Sequence, residues 1–399
     1  MPRPKIAAVV NIYDMRSHAQ HMVDRFLWGY GWNGRHHQPP IDVVAMYVDQ
    51  VPDIDLSRGR AKLYPTIAEA LTRGGEKLAV DGVLLIGEHG IYPKNEKGQT
   101  LYPRYEFFQQ VVDVYRDSGR SMPAFNDKHL SWKWEWAKEM VETADQMGFA
   151  LMAGSSIPVA RRLPSVEMPL GAEVQEALCV ATGAPDGYDI HALEVIQCMV
   201  ERRRGGETGV VAIQALRGDA VWKAMQAGSW EAGGWDPELF EACLCRSQTL
   251  RQAREGFNHR RPTMAQMPGL VDAGHRPIAF RSPIVYRVEY ADGLKATMLL
   301  VEGMVGDFTF AARLKGHRDP LSTLMQVPQP HPHNLFSSLV NNIEKMFLTS
   351  KATYPVERTL LTTGLTAAGV ESLWLKQKRL ETPHLAIQYQ PTKESTFRR

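Results

Sequence analysis

The stretch Met122-Pro-Ala-Phe-Asn-Asp-Lys-His-Leu-Ser131 decides how the fold of this chain is interpreted. A short apolar run leads into four polar side chains that can do chemistry, which are Asn126, Asp127, Lys128 and His129. A helical pattern begins a few residues later. A buried strand, a polar end and a helix in this order are typical of one unit of an open α/β sheet.

A second stretch, Val80-Asp-Gly-Val-Leu-Leu-Ile-Gly-Glu-His-Gly90, has the same form. It predicts a buried strand that ends in the ionisable residues Glu88 and His89. Parallel strands bring their carboxyl ends to one edge of such a sheet, and ligands bind there. The two stretches therefore predict one shared site at that edge. The alternative is a polar loop that is simply solvated.

Composition sets the class of protein. The chain has 399 residues, 44% of them hydrophobic and 23% charged, and this length favours two domains. A net charge of +2 gives no electrostatic case for a nucleic-acid or membrane partner. The 4 cysteines lack CxxC spacing, which argues against a disulfide framework. Without a signal peptide or a long apolar span, the sequence predicts cytoplasmic localisation.

Residues 1–160 alternate near-continuous apolar strands with helical segments, which predicts a Rossmann-like domain with a doubly wound parallel sheet. We predict strands at 6–12, 41–48, 80–86, 123–125 and 149–153. Helices are predicted from Ser17 onward and at 66–72, 102–118 and 132–147. Residues 29–40, rich in Gly, Trp and His, are predicted to form a loop.

Residues 161–399 predict a C-terminal α+β domain with a large open antiparallel sheet, covered by helices on one face. Strands are predicted at 172–181, 210–216, 283–290, 295–301, 307–314 and 322–327. Helices are predicted at 190–203, 220–228 and 237–245, with closing helices near 334–376. Asp292-Gly293 predicts a hairpin, and 248–277 predicts a long loop.

The strands of this second sheet carry apolar residues on both faces. Met298, Leu300, Phe308 and Phe310 share one face, and Leu299, Val301 and Thr309 share the other. A sheet that is covered by helices on one side and apolar on the other usually meets a partner. We therefore predict a homo-oligomer built through the C-terminal sheet.

Several segments resemble the Gfo/Idh/MocA family of sugar and polyol dehydrogenases. Val80-Asp-Gly-Val-Leu-Leu-Ile86 is similar to a strand motif of that family, and Asn126-Asp-Lys-His129 stands where the family has Glu-Lys-Pro. Ala153-Gly-Ser-Ser156 is similar to the segment that leads into the family's second domain. Asp189-Ile-His-Ala-Leu193 is similar to the motif with the catalytic histidine.

The resemblance implies a catalytic role for Lys128 and His191, with Asp127 and His129 beside them. It implies NAD or NADP at the sheet edge, next to Asn11, Tyr13, Asp49, Gly87, Glu88 and Ser155. Oxidation of a secondary alcohol needs a group that accepts the hydroxyl proton, which a histidine can do, while a lysine polarises the oxygen. We expect Lys128 and His191 to lie in one pocket, with a small hydroxylated metabolite as substrate.

The turn after the first strand departs from the family. The family carries Gly-x-Gly-x-x-Gly there, so that the backbone can approach the cofactor pyrophosphate. This chain has Asn11-Ile-Tyr-Asp-Met-Arg-Ser17, without glycine. At an effective dielectric of about 20, the Asp14 charge ~4 Å from a phosphate would cost about 4 kcal/mol. Either these side chains turn outward, with Arg16 compensating the charge, or the dinucleotide site is lost.

Two alternatives to a dehydrogenase follow from other residues. His18, His21 and Asp24 share a helix face near His89, and such ligands can bind a divalent metal. The cluster of His18, His21 and His89 would then serve a redox-neutral lyase, hydratase or isomerase. Alternatively, His21 packs in the core and His18 caps its helix. A non-catalytic sensor of a nucleotide or sugar is the third hypothesis, because fold alone does not decide function.

Overall fold

A computed structural model describes residues 2–253, 270–271, 282–328 and 332–398. The chain divides into two compact units. Unit 1 contains Met1–Val159 and Pro328–Thr363, and unit 2 contains Ala160–Val327 and Gly364–Arg399. The segment Pro328–Thr363, which the sequence analysis assigned to the second domain, groups with unit 1, because the helix Phe336–Thr349 buries its apolar face against helix His18–Trp28.

The elements follow one another in chain order. The strands are β1 (Lys5–Ile12), β2 (Tyr30–Trp32), β3 (Arg35–His37), β4 (Asp42–Gln50), β5 (Lys62–Leu63), β6 (Gly82–Ile86), β7 (Ala124–Asp127), β8 (Leu151–Gly154), β9 (Arg162–Leu163), β10 (Val174–Ala181), β11 (Val210–Arg217), β12 (Gln252–Ala253), β13 (Leu270–Val271), β14 (Ile284–Tyr290), β15 (Lys295–Leu300), β16 (Phe308–Leu314), β17 (Leu321–Met325) and β18 (Leu380–Glu381). The helices are α1 (His18–Trp28), α2 (Ile67–Thr72), α3 (Arg104–Ser118), α4 (Trp134–Met147), α5 (Asp189–Val200), α6 (Asp219–Ala227), α7 (Pro237–Arg246), α8 (Phe336–Thr349) and α9 (Glu357–Trp374).

The sheet of unit 1 is parallel throughout, with the strand order β5-β4-β1-β6-β7-β8. The predicted Rossmann-like fold is confirmed. The order reverses direction between β1 and β6, which creates the crevice where such sheets bind ligands. Residues of β6 are fully buried, because helices cover both faces of the sheet. The register brings Asn126 beside Leu85 and Asp127 beside Gly154 at the carboxyl edge.

Local sequence explains how the helices begin and end. Ser17 caps α1 by accepting a hydrogen bond from the Gln20 N–H, as predicted. Thr66 caps α2 in the same way. Glycines in the left-handed conformation end α3 and α4. One prediction was wrong: the segment 29–40 is not only loop, since β2 and β3 pair as a short hairpin.

Unit 2 contains a sheet in the order β18-β11-β14-β15-β10-β16-β17-β9. Most neighbours are antiparallel, as predicted, and β10 pairs with β15 in parallel. The Asp292-Gly293 turn joins β14 to β15 as a hairpin, with Gly293 at φ 92°. Most of the predicted loop 248–277 lies outside the described residues.

Helices of the same unit cover both faces of this sheet at its centre. Helix α5 contacts β10, β15 and β16. On the opposite face, Leu299 and Val301 belong to a buried cluster with residues of α6 and α7, including Trp222 and Phe240. The apolar face that was expected to meet a partner is therefore covered by the chain itself. Oligomerisation stays a prediction, but the sheet face on which it was based is buried within the chain.

No helix within the described ranges is long and apolar enough to cross a membrane.

Candidate active site

A buried carboxylate holds two cations at the carboxyl edge of the unit 1 sheet. Glu88 follows β6, and its Oε1 accepts a hydrogen bond from the Lys128 ammonium at 2.9 Å. Its Oε2 accepts from the Arg104 guanidinium at 2.5 Å. Burial alone would raise the pKa of Glu88, but the charges of Lys128 and Arg104 outweigh it and hold that pKa well below its ordinary range. Glu88 is therefore ionised and fixes the position of Lys128.

Arg104 links this carboxylate to His129. The Arg104 side chain is fully buried at the start of α3, and its Nη1 lies 2.9 Å from His129 Nε2. Because a guanidinium can only donate, Nε2 is the acceptor and the histidine proton lies on Nδ1. Burial and the Arg104 charge lower the pKa of His129 well below its ordinary range. His129 is therefore neutral at the edge.

Gly87 makes room for this arrangement. A Cβ atom at Gly87 would lie 2.5 Å from Cγ of Arg104, closer than real side-chain contacts allow. Lys128 itself adopts a left-handed backbone conformation, with φ 59°, which is uncommon for a residue other than glycine. Its N–H donates to the Gly154 carbonyl at 3.2 Å. Backbone strain of this kind is often found at functional sites.

A second pair, His18 with Asp127, lies at the same edge. His18 Nδ1 is 2.7 Å from Asp127 Oδ2, and the Asp127 side chain is almost completely buried. The His18 ring also contacts His89, with 5.0 Å between ring centroids. Burial and the neighbouring His18 lower the pKa of His89 to about 4. The predicted residues Asp127, Lys128, Glu88, His18 and His89 are thus brought together.

The predicted metal site is not supported. Across the described ranges, no group of three or more His, Cys, Asp or Glu side chains is arranged to hold a metal ion. Asp127 engages His18 Nδ1, which removes one potential ligand atom. His21 is buried against Phe336 of α8, with 4.8 Å between ring centroids. The alternative role for His18 as a helix cap is also wrong, since Ser17 is the cap.

Two asparagines at the strand ends have buried oxygen atoms without a partner. Asn11 lies one residue before the end of β1 and donates from Nδ2 to the His89 carbonyl at 3.2 Å, but its Oδ1 has no donor. Asn126 in β7 donates to the His129 carbonyl, and its Oδ1 likewise has no donor. His129 Nδ1 is also unpartnered. Buried polar atoms of this kind need a hydrogen-bonding partner, which a polar ligand can provide.

The turn after β1 does not reproduce the family's phosphate cradle. Tyr13 is fully buried, and its hydroxyl donates to Asp24, whereas Met15 is 62% exposed. The Arg16 N–H donates to the Gln20 side chain at 2.6 Å, and the Ser17 N–H donates to the Asp14 carbonyl at 3.2 Å. These donors are the ones a pyrophosphate needs at a helix start. The turn therefore does not fit a dinucleotide bound in the family's manner.

Asp49, one of the predicted cofactor-binding residues, is also engaged by the chain. Its Oδ1 accepts from the Tyr47 hydroxyl at 2.9 Å, and its Oδ2 accepts from the Tyr92 hydroxyl at 2.7 Å. Beside it, the Gln50 carboxamide bonds both the N–H and the carbonyl of Ile91, at 2.8 and 3.0 Å. The segment after β6 is therefore tied to the end of β4.

Two further predicted residues, Ser155 and His191, make contacts of their own. Ser155 is buried after β8, where its Oγ accepts from the Ile157 N–H at 3.1 Å. His191 lies in α5 of unit 2, with its ring 6.1 Å from that of Phe308. Next to it, Asp189 accepts from the Tyr286 hydroxyl at 3.0 Å, and burial raises the pKa of Asp189 to about 6. A shared pocket of Lys128 and His191 stays a prediction.

Several solved structures share the fold of the whole chain. GenD2 from gentamicin A biosynthesis, in complex with NAD, is 13% identical and aligns with a TM-score of 0.56 over 96% of this chain and 97% of its own. Myo-inositol dehydrogenase from Lactobacillus casei, in complex with NAD(H) and myo-inositol, is 11% identical, with a TM-score of 0.54 over 99% of both chains. In sequence, no protein-family model and no curated protein matches the chain.

A probable dehydrogenase from Thermotoga maritima aligns at 11% identity, with a TM-score of 0.53 over 96% of this chain and 99% of its own. The chain therefore has the fold of the Gfo/Idh/MocA oxidoreductases, as its motifs indicated. At these identities the likeness concerns the fold, and the chemistry has to be argued from the site.

Sequence reasoning missed three residues that organise the site: Arg104, Gln50 and Tyr92. None of the three was among the predicted site residues, and Arg104 falls within the predicted helix at 102–118. One signal was present for it, since an arginine at the start of a helix that must pack on a sheet needs a buried anion. For Gln50 and Tyr92 the sequence offers no signal, because their contact depends on how strands β4 and β6 are ordered.

Proposed function

We propose that the chain is an oxidoreductase that dehydrogenates a hydroxyl-bearing carbon of a sugar, polyol or related metabolite, with NAD or NADP as hydride acceptor. The observation that carries the proposal is the acid–base cluster at the carboxyl edge of this dehydrogenase fold. Such an edge is where open α/β sheets bind their ligands. Because the turn after β1 does not fit the family's dinucleotide cradle, we assign only the proton chemistry of the chain's own residues.

The His18–Asp127 pair is suited to accept the hydroxyl proton. The Asp127 carboxylate can only accept a hydrogen bond when ionised, so the proton of a neutral His18 lies on Nδ1. The lone pair of Nε2 is then free to act as a base, as in other histidines that a buried carboxylate orients. The bond between the substrate oxygen and its proton breaks as the bond between that proton and Nε2 forms.

Lys128 would stabilise the oxygen that loses its proton. A fixed ammonium next to a developing negative charge lowers the energy of that state. Glu88 and Arg104 keep Lys128 in place, since its side chain is 8% exposed and paired at 2.9 Å. His191 keeps its predicted role as a second proton-handling group, which variants of unit 2 can test separately.

Redox-neutral proton transfer on a hydroxylated metabolite is the second candidate. The observation in its favour is that the Arg16 and Ser17 N–H groups already bond to the chain. In this case the same His18–Asp127 pair would remove a proton and return it to another atom of the same substrate. The substrate then undergoes no net oxidation, and no dinucleotide is needed.

One experiment separates the two candidates. Purified protein is incubated with a panel of inositols, polyols and aldoses, with NAD or NADP, and reduced nicotinamide is followed by absorbance. Parallel incubations in deuterated water without cofactor are analysed by mass spectrometry for deuterium in the recovered substrate. Formation of reduced nicotinamide supports the dehydrogenase. Deuterium incorporation without any reduced nicotinamide supports the redox-neutral candidate and refutes the first.

The proton-handling role is tested with Asp127→Asn. An asparagine of the same shape can donate to His18 Nδ1 and so selects the wrong tautomer of the ring. We expect turnover to fall by about two to four powers of ten, in line with general-base catalysis. Glu142→Gln, on the exposed face of α4, is the matched control and should keep its activity. An Asp127→Asn variant with wild-type turnover would exclude His18 as the base.

A further inference from the structure

The segment Gly87–Tyr92, which we name the strap, crosses the ligand crevice of unit 1. It begins at the end of β6, and β1 lies between β6 and β4 in the sheet. The strap is bonded to β1 through the Asn11 side chain and the His89 carbonyl. It is bonded to β4 through Gln50 and Asp49. The strap therefore spans the carboxyl ends of all three strands.

The geometry of the strap requires its own residues. His89 and Gly90 both have left-handed backbones, with φ 68° and φ 87°. A Cβ atom at Gly90 would lie 2.9 Å from both the Gln50 Oε1 and a ring carbon of Tyr92. Glycine is thus needed for the close approach of the strap to β4. The Gln50 carboxamide bonds Ile91 as a neighbouring strand would, with one donor and one acceptor.

The Tyr92 hydroxyl bonds to the residue that would contact a ribose in a dinucleotide-binding sheet. In dinucleotide-binding sheets, the acidic residue at the end of the second strand accepts hydrogen bonds from the adenosine ribose. Here that residue is Asp49, and its Oδ2 accepts from Tyr92 at 2.7 Å. Burial and the Asp49 charge raise the pKa of Tyr92 far above neutrality, so the hydroxyl stays a donor. It makes the contact that a ribose hydroxyl would make.

We infer that the strap closes the adenosine half of the crevice, so that this chain recognises a nicotinamide cofactor only through its mononucleotide half. The recognition of nicotinamide rests on the proposed function. The closure of the adenosine half rests only on the contacts of the strap. A ligand that carries the adenosine half would have to displace the Tyr92 hydroxyl and the two Gln50 bonds. A nicotinamide mononucleotide has no such half and meets no such competition.

Calorimetric titration of the full chain with three probes tests this inference. The probes are reduced nicotinamide mononucleotide, NADH and ADP-ribose, which contains the adenosine half without nicotinamide. We expect ADP-ribose to give no binding heat up to about 1 mM. NADH should bind no more than about threefold tighter than the mononucleotide. NADH binding more than about tenfold tighter, or clear binding of ADP-ribose, would overturn the inference.

A matched pair of variants tests the strap itself. Tyr92→Phe combined with Gln50→Ala removes the ties of the strap to β4, whereas Tyr47→Phe removes the other hydroxyl bond to Asp49 and leaves the strap tied. We expect measurable ADP-ribose binding in the double variant only. Equal gains in Tyr47→Phe, or no gain in the double variant, would show that the strap does not close the site.

The same titrations keep this inference separate from the proposed function. If neither the mononucleotide nor NADH binds the wild-type chain, the nicotinamide oxidant is excluded and the dehydrogenase proposal fails. The comparison of ADP-ribose between wild type and the double variant still decides whether the strap closes the crevice. Circular dichroism of each variant shows whether its fold is intact.

Discussion

Replacing Glu88 with glutamine should destabilise unit 1 more than any surface change of the same kind. Glu88 bonds both Lys128 and Arg104, and their side chains are 8% and 0% exposed. Removing one partner of a buried ion pair costs about 3–5 kcal/mol, because the other charge stays buried without compensation. Here two buried cations lose the same anionic partner. We expect the free energy of unfolding to fall by at least about 3 kcal/mol.

Urea unfolding, followed by tryptophan fluorescence at neutral pH, measures this loss. Glu142→Gln is the matched control, because its pair with Lys138 joins two half-exposed side chains at 3.3 Å on α4. An exposed pair of this kind contributes about 0.5 kcal/mol or less. A Glu88→Gln variant whose free energy of unfolding lies within about 1 kcal/mol of that of Glu142→Gln would refute the claim that the ion pairs of Glu88 with Lys128 and Arg104 are buried and tightly coupled.

The pH dependence gives an independent check on Glu88. Its pKa in the folded protein lies well below the ordinary value of 4.5. Below that value the unfolded state binds the proton more readily, so stability decreases as the pH falls. The difference between wild type and Glu88→Gln should therefore be complete above pH 4.5 and shrink below it. A difference that stays constant down to pH 3 would contradict an ionised Glu88.

Three further predictions concern other parts of the site and fold. Lys128→Met should abolish turnover while the far-ultraviolet circular dichroism stays unchanged; retained turnover would exclude Lys128 from the chemistry. Burial raises the pKa of Asp189 from 3.8 to about 6, so the folded state holds the extra proton, and wild type should lose about 2 kcal/mol of stability between pH 4 and 7 relative to Asp189→Asn. Urea titrations of both proteins at the two pH values measure this difference. A free energy of unfolding that changes equally with pH in wild type and Asp189→Asn would contradict it. Gly87→Ala should cost about 1–3 kcal/mol, because its methyl group would lie 2.5 Å from Arg104; Gly31→Ala, with open space around it, should unfold like wild type.

The sequence determined the parallel sheet of unit 1 and the edge at which the site lies. Apolar runs of strand length followed by helical patterns can bury their side chains in few other ways, so β1, β6 and β7 were predicted close to their actual positions. Helix caps were equally local, since Ser17 is followed at once by the N–H groups it must satisfy. The polar residues after β6 and β7 had to converge, because parallel strands end on the same side.

Only the tertiary structure decided what those residues do to one another. The ion pair of Glu88 with Arg104 joins residues 16 positions apart, and Arg104 belongs to a helix. The His18–Asp127 pair joins residues 109 positions apart. The same holds for unit 2, where helices α6 and α7 cover the sheet face that the strand pattern alone suggested was free. The strap shows most clearly what the sequence by itself does not determine. Tyr92 meets Asp49 only because β1 is placed between β4 and β6, and no periodicity in one segment contains the order of strands in a sheet.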